Sequence, residues 1–490
     1  MGNRCIFAPH MQQKFLSNFT LLVVLNLAVK LFWVFGIDVA VQNMLGSEVY
    51  GDYFALFNFA YIFAIVSDVG IINYNNRVIA GEPEKLSFYL ANILAAKTGL
   101  FALYLLVLVV FSFVVGYNSQ QLGLLIIIGI NQGLITFYNY LRSNVSALHL
   151  FKTESFLSVS DKLVMIVLCG LLLWLNPFST PFTIYTFAWV QVLGLVCGVS
   201  ISFVVLYRFI KKTEFRVEWA TVKDIVKKSY PYAILVTLMS FYTRLDAVMI
   251  ERLLPDGATE AGIYASGFRL LDSLIMFAVL MANMLLPMFG RLIHRGLPVG
   301  QLVKQSFAIM MLPAVGVPLL AWFYKEDLYN LIYPNLYTPY NAYIFAWVLS
   351  AFVPISMGYI FGTLLTANGS LRQLNIISVL GLFANFLLNL VLIPQYKAMG
   401  ACIATIATQS LVILLTVLYC RRFFKFTVPP KFALSTIFFP VSAATVFYAF
   451  TFIQWDWKLE VLAALGCMVL LAVSTGLIKI KELLTSFKTT

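Results

Sequence analysis

Charged residues are scarce in this chain. Asp, Glu, Lys and Arg make up 11% of its 490 residues, whereas a soluble domain has about 25%. Long polar stretches are missing too, because no gap between the apolar segments is large enough to hold a separate soluble domain. Apolar residues reach 61%, and the mean hydropathy is +0.89. These figures exclude an ordinary soluble protein and predict that lipid is the main solvent of the chain.

Motifs for cofactors and metals are also missing. The sequence contains no Walker-type phosphate loop, no His-Glu-x-x-His zinc motif and no Cys-x-x-Cys pair. Its six cysteines have no paired spacing, and most lie in apolar segments, so we expect no disulfide. We therefore expect no cofactor, no metal centre and no ATP hydrolysis.

Fourteen long apolar stretches follow one another between Phe15 and Ile478. About 20 residues of helix cross the hydrocarbon core of a bilayer, and each stretch should be helical because open strands cannot satisfy their backbone groups in lipid. The predicted fold is an all-α polytopic membrane protein with about fourteen transmembrane helices. The predicted spans are 15–44, 50–76, 86–115, 121–142, 154–175, 183–210, 229–250, 261–290, 306–323, 341–366, 373–393, 399–420, 433–453 and 460–479.

Basic residues alternate from one side of these spans to the other. With a cytoplasmic amino terminus, 24 of the 33 Lys and Arg residues lie in the even-numbered gaps and the two tails, 4 in the opposite gaps and 5 inside the spans. An excess of Lys and Arg is typical of cytoplasmic loops, so we expect both termini in the cytoplasm. We interpret the net charge of +12 as topology and contact with anionic membrane lipids, not as nucleic-acid binding.

The longest charged gap divides the chain. The basic segment 211–228 separates an N-terminal six-helix lobe, 1–210, from a second six-helix lobe, 229–422. Residues 423–490 add two further helices and a tail. We predict a cytoplasmic linker at 211–228, between the two lobes.

The two lobes share a short sequence repeat at an offset of 211, GDYFALF at 51–57 and GIYASGF at 262–268. The matching pairs are Gly51 and Gly262, Tyr53 and Tyr264, and Phe57 and Phe268. Because each lobe has an even number of helices, both copies enter the membrane in the same orientation. Parallel repeats are a transporter architecture with the binding site between the lobes, so we predict a central cavity.

Two passages resemble a known family. Residues 229–292 contain Pro231, Arg244, Asp246, Gly262, Tyr264, Ala265, Arg269 and Pro287, and residues 385–405 contain Asn389, Pro394, Gly400 and Ala401. These residues resemble the oligosaccharide flippase, or polysaccharide transporter, family of the multidrug/oligosaccharidyl-lipid/polysaccharide flippase superfamily. Relatives often have glycine where this chain has Lys397.

The resemblance implies an alternating-access transporter in which the first two helices of each lobe line the cavity. The family's substrate is an undecaprenyl-diphosphate-linked oligosaccharide, moved from the cytoplasmic to the periplasmic leaflet of the bacterial inner membrane for O-antigen, capsule or exopolysaccharide assembly. The implied partners are this lipid-linked substrate, membrane lipids and polysaccharide polymerase machinery. A monomer is the simplest assembly, because the cavity lies within one chain.

Charges inside the spans are the candidate binding residues, because a charge at mid-bilayer costs about 2.5–3.5 kcal/mol and normally faces protein or water. Lys30 lies near the middle of the first span, one turn after Asn26, so both project from one face. A diphosphate suits cations in a cavity of low dielectric constant. The alternative is that Lys30 pairs with an acid on a neighbouring helix, such as Asp68. We select Lys30, Asn26 and Asp68 as candidates.

A second set of charges lies in the seventh and eighth spans. Arg244 and Asp246 are in the seventh, and Arg269 and Asp272 are in the eighth. In one interpretation they pair across the helices and hold the second lobe together. In the other, Arg244 or Arg269 contacts diphosphate or sugar while an acid such as Asp246 orients the guanidinium. Weaker candidates inside spans are Lys97, Asp161 and Lys162.

Other classes of protein stay open. A membrane glycan polymerase or ligase needs large outer loops, whereas every outer gap here is short, so we do not expect an enzyme. A multidrug or cation antiporter of the same superfamily binds cations through acids, whereas Lys30, Arg244 and Arg269 favour an anionic substrate. Flipping of a peptidoglycan precursor is a third, closely similar alternative.

Overall fold

The structure is a computed structural model that describes residues 25–148, 150–175, 180–210, 215–425, 428–453 and 455–478. Within these ranges the chain folds into helices joined by short turns, and they contain no strand. The prediction of an all-α polytopic membrane protein is confirmed. The start of the first predicted span, at 15–24, and the end of the last lie outside the described residues.

The helices belong to two compact units. The first unit comprises Met1–Leu45 and Asp52–Val248, and the second comprises Gly46–Gly51 and Met249–Thr490. In the first unit, helical residues 25–32 continue through a π-helical turn, Trp33–Asp38, into α1, Val39–Phe63. The following helices are α2 Ile71–Gly81, α3 Leu86–Val115, α4 Ser119–Ala147, α5 Phe151–Gly170, α6 Ile184–Tyr207 and α7 Trp219–Leu253.

The second unit contains the remaining helices. They are α8 Gly257–His294, α9 Gly300–Phe323, α10 Lys325–Ile332, α11 Pro339–Ser350, α12 Phe352–Ala367, α13 Leu371–Tyr396, α14 Ala398–Phe424, α15 Pro430–Phe450 and α16 Trp457–Ser474. The last two helices, predicted as additions to the lobe, share its apolar core. Phe439 and Phe447 of α15 and Met468 of α16 are buried together with Met311 and Val315 of α9.

Twelve helices of the described residues are long and apolar enough to cross a membrane. The first extends over 43 residues, Leu25–Ser67, which is about 64 Å of helix and twice the thickness of the hydrocarbon core. Gly46 interrupts it with a φ of +84°, a conformation that favours glycine. This element therefore contains the first two predicted spans, and α7 corresponds to the seventh, so that all fourteen have a helical counterpart.

Helix α7 begins earlier than the sequence analysis predicted. Its first residue is Trp219, ten positions before the predicted span at 229–250, so the end of the predicted linker 211–228 is helical. The reason is an amphipathic pattern, in which Val222 and Ile225 are buried while Lys223 and Lys227 face outward. The lobe boundary at 211–228 stays a prediction, and the contacts place 219–248 in the first unit.

The turn between α13 and α14 places a lysine in a backbone conformation that favours glycine. Lys397 has a φ of +54°, a region that L side chains rarely adopt. Its ammonium pairs with Asp256 and lies 3.5 Å from Glu260 Oε1, and Glu260 also accepts a hydrogen bond from the Ala398 backbone nitrogen at 3.2 Å. The hydrogen bond between Lys397 and Asp256 raises the pKa of the lysine and lowers the pKa of the aspartate.

Candidate functional site

The first span packs its polar face against α5. Asn26 donates a hydrogen bond to Ser158 Oγ at 2.6 Å, and the ammonium of Lys162 lies 4.6 Å from the centre of the Trp33 ring. Lys30 lies between these two contacts in the chain, one turn before the π-helical turn. Such turns are frequent at functional sites. The predicted shared face of Asn26 and Lys30 therefore meets α5.

The charged groups around Lys30 are mostly cations. The charged groups that act on it are Arg142 of α4, Lys162 of α5 and the carboxylate of Asp161. Its side chain is half-buried, and no carboxylate of a described residue lies within ion-pair distance of its ammonium. This arrangement does not match the alternative in which Lys30 is neutralised by Asp68.

Arg142 is the residue of this site that sequence reasoning missed. It is the last residue of the predicted span 121–142 and was counted among the cytoplasmic cations, but α4 continues past it to Ala147. Arg142 donates to Glu154 Oε1 at 2.7 Å, and its guanidinium lies 5.2 Å from the centre of the Tyr138 ring. The Arg142 Nε and Glu154 Oε2 atoms are buried without a hydrogen-bond partner among the described residues. Residues 143–147, SNVSA, carry little signal for this continuation, because Ser, Asn and Val are weak helix formers.

Together these residues form what we call the cationic cluster: Lys30, Arg142 and Lys162 with Asp161 and Glu154. Glu154 pairs with Arg142, and the Asp161 carboxylate lies 3.9 Å from the Lys162 ammonium. Lys30 forms no ion pair with any described residue. A half-buried cation of this kind attracts an anion more strongly than the same charge in water, because the surrounding dielectric constant is lower.

Asp68 belongs to a different ion pair. Its Oδ1 lies 2.7 Å from the ammonium of Lys97, whose side chain is fully buried. The structure thus brings together Asp68 and Lys97, and separately Lys30, Lys162 and Asp161. Lys97 was a weaker candidate, and its helix α3 carries it into contact with the segment after α1.

Arg244 and Asp246 lie on α7 within the first unit. The Arg244 guanidinium is 4.8 Å from the centre of the Tyr61 ring of α1, and the Arg244 side chain is half-buried. Asp246 is 1% exposed. Both residues also take part in further polar or charged contacts. Arg244 therefore stacks on an aromatic face, as arginine often does where it also binds anions.

Arg269 lies on α8 in the second unit. Its Nε donates to the hydroxyl of Tyr50 at 2.9 Å, and Tyr50 is 1% exposed. Tyr50 belongs to the short segment Gly46–Gly51, which packs on α8. Asp272, one turn further along, is half-buried. The two arginines thus have separate aromatic partners, each within its own unit.

The glycines of the sequence repeat pack against each other's helices. A Cβ added to Gly51 would overlap the carbonyl oxygen of Ala258, and a Cβ added to Gly262 would overlap the carbonyl oxygen of Ser47. These four positions are related by the repeat offset, because Ser47 and Gly51 correspond to Ala258 and Gly262. Small residues at such spacing let helix backbones approach closely in membranes.

The chain matches the family model described as polysaccharide biosynthesis protein over residues 15–293. This match covers more than half of the sequence. The chain belongs to the polysaccharide biosynthesis protein family. The family predicted from the residues is thereby confirmed.

Solved structures share the fold of this family member. A structure described as lipid II flippase MurJ in an inward closed conformation has a TM-score of 0.69 and 14% identity, covering 96% of this chain and 99% of that one. An inward-facing multidrug resistance MATE family transporter of the MOP superfamily has a TM-score of 0.57 and 12% identity, covering 82% and 94%. The Vibrio cholerae MATE transporter VcmN in the bent form has a TM-score of 0.53 and 15% identity, covering 83% and 96%.

None of the curated proteins compared with the chain matches it in sequence. The family and the fold together identify a multi-pass membrane protein and support a flippase or transporter. Within the described part of the chain, no group of three or more His, Cys, Asp or Glu side chains could hold a metal ion.

Proposed function

We propose that this protein flips an undecaprenyl-diphosphate-linked oligosaccharide from the cytoplasmic to the periplasmic leaflet of a bacterial inner membrane. It works by alternating access, and its substrate serves surface polysaccharide assembly, such as O-antigen, capsule or exopolysaccharide. The observation that carries the proposal is Lys30, a half-buried cation that has no ion pair with a described residue and lies beside Arg142 and Lys162, in a member of this family. No chemical step is required, because the lipid-linked oligosaccharide leaves as it entered.

The chemistry of a diphosphate fits the cationic cluster. Arg142 can offer two parallel N–H donors to phosphate oxygens, whereas Lys30 and Lys162 act as compact point charges. The free Nε of Arg142 is a donor that a phosphate oxygen can satisfy. Asn26 supplies a neutral polar group on the face of Lys30.

Further substrate contacts are proposed on the other candidate residues. Arg244 and Arg269 each lie half-buried beside a tyrosine ring, a setting suited to phosphate or sugar. Asp246 is proposed to orient a guanidinium, while Asp68 is proposed to act through Lys97. The fold is shared with a protein described as a lipid II flippase, which supports a lipid-linked substrate.

The proposal also includes the membrane orientation, the oligomeric state and the partners of the protein. Both termini are proposed to face the cytoplasm, because most basic gap residues then lie on that side. The protein is proposed to act as a monomer that contacts membrane lipids and works beside the polysaccharide polymerase machinery.

A multidrug or cation antiporter is the second candidate function. It is favoured by the fold shared with MATE transporters and by the carboxylates of Asp161 and Glu154, which could bind a cationic drug. The Lys30 ammonium, which forms no ion pair with a described residue, argues against it. A glycan polymerase or ligase is a weaker alternative.

Proteoliposomes distinguish these functions. We would measure leaflet translocation of a fluorescent undecaprenyl-diphosphate oligosaccharide by wild type, Lys30→Gln and Arg142→Gln, with the exposed Arg295→Gln as control. Transport by wild type and control, lost in both cluster variants, supports the proposal. Efflux of a cationic dye without translocation of the lipid would replace it with the antiporter.

A further inference from the structure

A groove opens on the surface of the first unit between α5 and α6. The two helices touch closely in the middle of α5, where a Cβ added to Gly194 would lie 3.0 Å from the Asp161 carbonyl oxygen. Nearer the start of α5 they leave a cavity of about 390 Å³. Small-ligand sites have volumes of roughly 300–1,000 Å³, so the groove is large enough to hold part of a ligand.

Most of the groove wall is apolar, and its rim is exposed. The apolar lining residues are Phe156, Leu157, Ile201 and Val205. Phe156 and Ile201 are 61% and 44% exposed, and Val204, beside the groove on α6, is 60% exposed. Both helices are long and apolar enough to cross a membrane, and an exposed apolar patch of this kind marks a surface that contacts lipid. The wall therefore suits a hydrocarbon chain.

The polar groups that a ligand could reach lie at one end of the groove. Lys152 and Thr153 line it in the first turn of α5, where the helix dipole also favours negative charge. Ser160 lines the other end, roughly 12 Å away along the helix. Its hydroxyl is already engaged, because it donates to the Leu157 carbonyl at 3.1 Å and lies 3.0 Å from the Tyr138 hydroxyl. The groove thus has one cationic end and one end without a free polar group.

A second cation stands at the same mouth of the groove. Arg208 is the C-terminal cap of α6, three residues beyond Val205, and its side chain is exposed. Residues three apart share a helix face, so Arg208 lies on the side of α6 that lines the groove. Glu154, the acid closest in sequence to Lys152, already forms an ion pair at 2.7 Å. Neither Lys152 nor Arg208 forms an ion pair with a described residue, so the mouth is positively charged.

The groove is separate from the cationic cluster. Ser158 and Lys162 of α5 contact the first span, whereas Phe156 and Ser160 line the groove. Residues two apart on a helix point to different faces. The diphosphate proposed for the cluster therefore leaves the groove to another lipid of the bilayer.

We propose that this groove binds one anionic phospholipid of the surrounding leaflet. Its phosphate lies at Lys152 and Thr153, within reach of Arg208, and one acyl chain follows the apolar wall. The ammonium and guanidinium groups supply charge-assisted hydrogen bonds to the phosphate oxygens. Basic pockets between transmembrane helices bind anionic lipid headgroups in this way. A zwitterionic phospholipid fits less well, because its headgroup brings a cation of its own to a mouth that already holds two.

Photocrosslinking in vesicles of equal parts phosphatidylglycerol and phosphatidylcholine tests the site. With benzoylphenylalanine in place of Phe156, we expect adducts with phosphatidylglycerol to exceed those with phosphatidylcholine by about fivefold, which corresponds to about 1 kcal/mol for a Lys near an anionic lipid. The same probe in place of Val204, exposed but outside the groove, should report equal amounts of both lipids. If the protein with the probe at Phe156 does not insert, the probe in place of Ile201 takes over the measurement.

Variants of the cationic mouth assign the preference to Lys152. Lys152→Gln should abolish the preference, and Lys152→Arg should keep it because the charge is retained. Lys227→Gln, which removes an exposed cation of the same unit, should leave it unchanged. In detergent, phosphatidylglycerol should also raise the unfolding temperature of wild type more than that of Lys152→Gln, because a ligand of the native state stabilises it.

Three outcomes would overturn the site. The first is the same lipid composition in the adducts at Phe156 and at Val204. The second is an undiminished preference in Lys152→Gln. The third is loss of the phosphatidylglycerol adducts when undecaprenyl diphosphate is added, with the probe now crosslinked to that carrier, which would assign the groove to the carrier lipid instead.

Discussion

Two groups of charges inside the first unit differ in balance and in burial. The Lys97–Asp68 pair holds one cation and one anion, and its lysine is fully buried. In the cationic cluster, Lys30 is half-buried and forms no ion pair with a described residue. A neutral buried ion pair attracts a further ion only weakly. An accessible cation without an ion-pair partner attracts an anion more strongly. The first therefore fits a structural contact within the protein, and the second fits the proposed site for an anionic substrate.

The largest effect on stability is expected when one partner of the buried Lys97–Asp68 pair is removed. Lys97→Met leaves the Asp68 carboxylate without its partner, and we expect a loss of about 3–5 kcal/mol of stability. Thermal unfolding in detergent measures this loss. Adding Asp68→Asn should restore most of the stability, because no buried charge is then left alone. A single variant as stable as wild type would contradict the importance of the pair.

Lys30→Gln should show the opposite profile. Because Lys30 has no ion pair with a described residue, we expect little change in the thermal unfolding temperature. Affinity for undecaprenyl diphosphate should weaken by about 1.5–3 kcal/mol, the usual contribution of a hydrogen bond to a charged group, which is roughly tenfold to hundredfold. Equilibrium binding to the purified protein measures it. Arg295→Gln, an exposed cation, should bind like wild type, and unchanged affinity in Lys30→Gln would remove Lys30 from the site.

Glu154→Gln should change diphosphate affinity in the opposite sense to Lys30→Gln. It removes the carboxylate that competes with phosphate for Arg142, so we expect diphosphate affinity to rise by about 0.5–1 kcal/mol, or roughly twofold to fivefold. The same binding measurement applies. Glu218→Gln, which removes an exposed partner of Arg216, is the matched control. A fall in affinity would mean that Glu154 orients Arg142 more than it competes for it.

The smallest effect is expected at an exposed ion pair, Lys397–Asp256, where both side chains are nearly half-exposed. The Lys397 ammonium donates a hydrogen bond that lowers the pKa of Asp256 from 3.8, so this contribution is present above about that pH and is lost as pH falls through the lowered value. The raised pKa of Lys397 keeps its contribution intact below 10.5, and it is lost as pH rises beyond the raised value.

Asp256→Asn therefore should cost less than about 1 kcal/mol near neutral pH. Its unfolding temperature should approach that of wild type in acid, where wild type also loses the contribution. A difference that is independent of pH would show that Asp256 acts through packing instead of charge.

The fold was largely predictable from the sequence. The helical nature of the spans and the family were predicted from apolar stretches and a few motif residues, and the structure and the family match confirm them. Twelve helices of the described residues are long and apolar enough to cross a membrane, against about fourteen predicted. The predicted start of α7 was ten residues too late, because a basic amphipathic segment was interpreted as a linker. The candidate site was predictable only in part. Lys30 and Asn26 were selected as intramembrane polar residues, but Arg142 was hidden at the end of a span.

The lipid environment explains why so much of the fold could be predicted from the sequence. A chain that crosses hydrocarbon must form helices or a closed barrel, and continuous apolar stretches of about 20 residues select helices. The lengths and flanking charges of these helices can be read directly from the sequence. Charge pairing is different, because it depends on which helix faces which. Lys97 meets Asp68 across 29 residues and Arg142 meets Glu154 across 12, while Lys30 keeps cations for neighbours. Only the tertiary packing of the helices decided which of these charges have a partner of opposite sign, because that packing sets which side chains face each other.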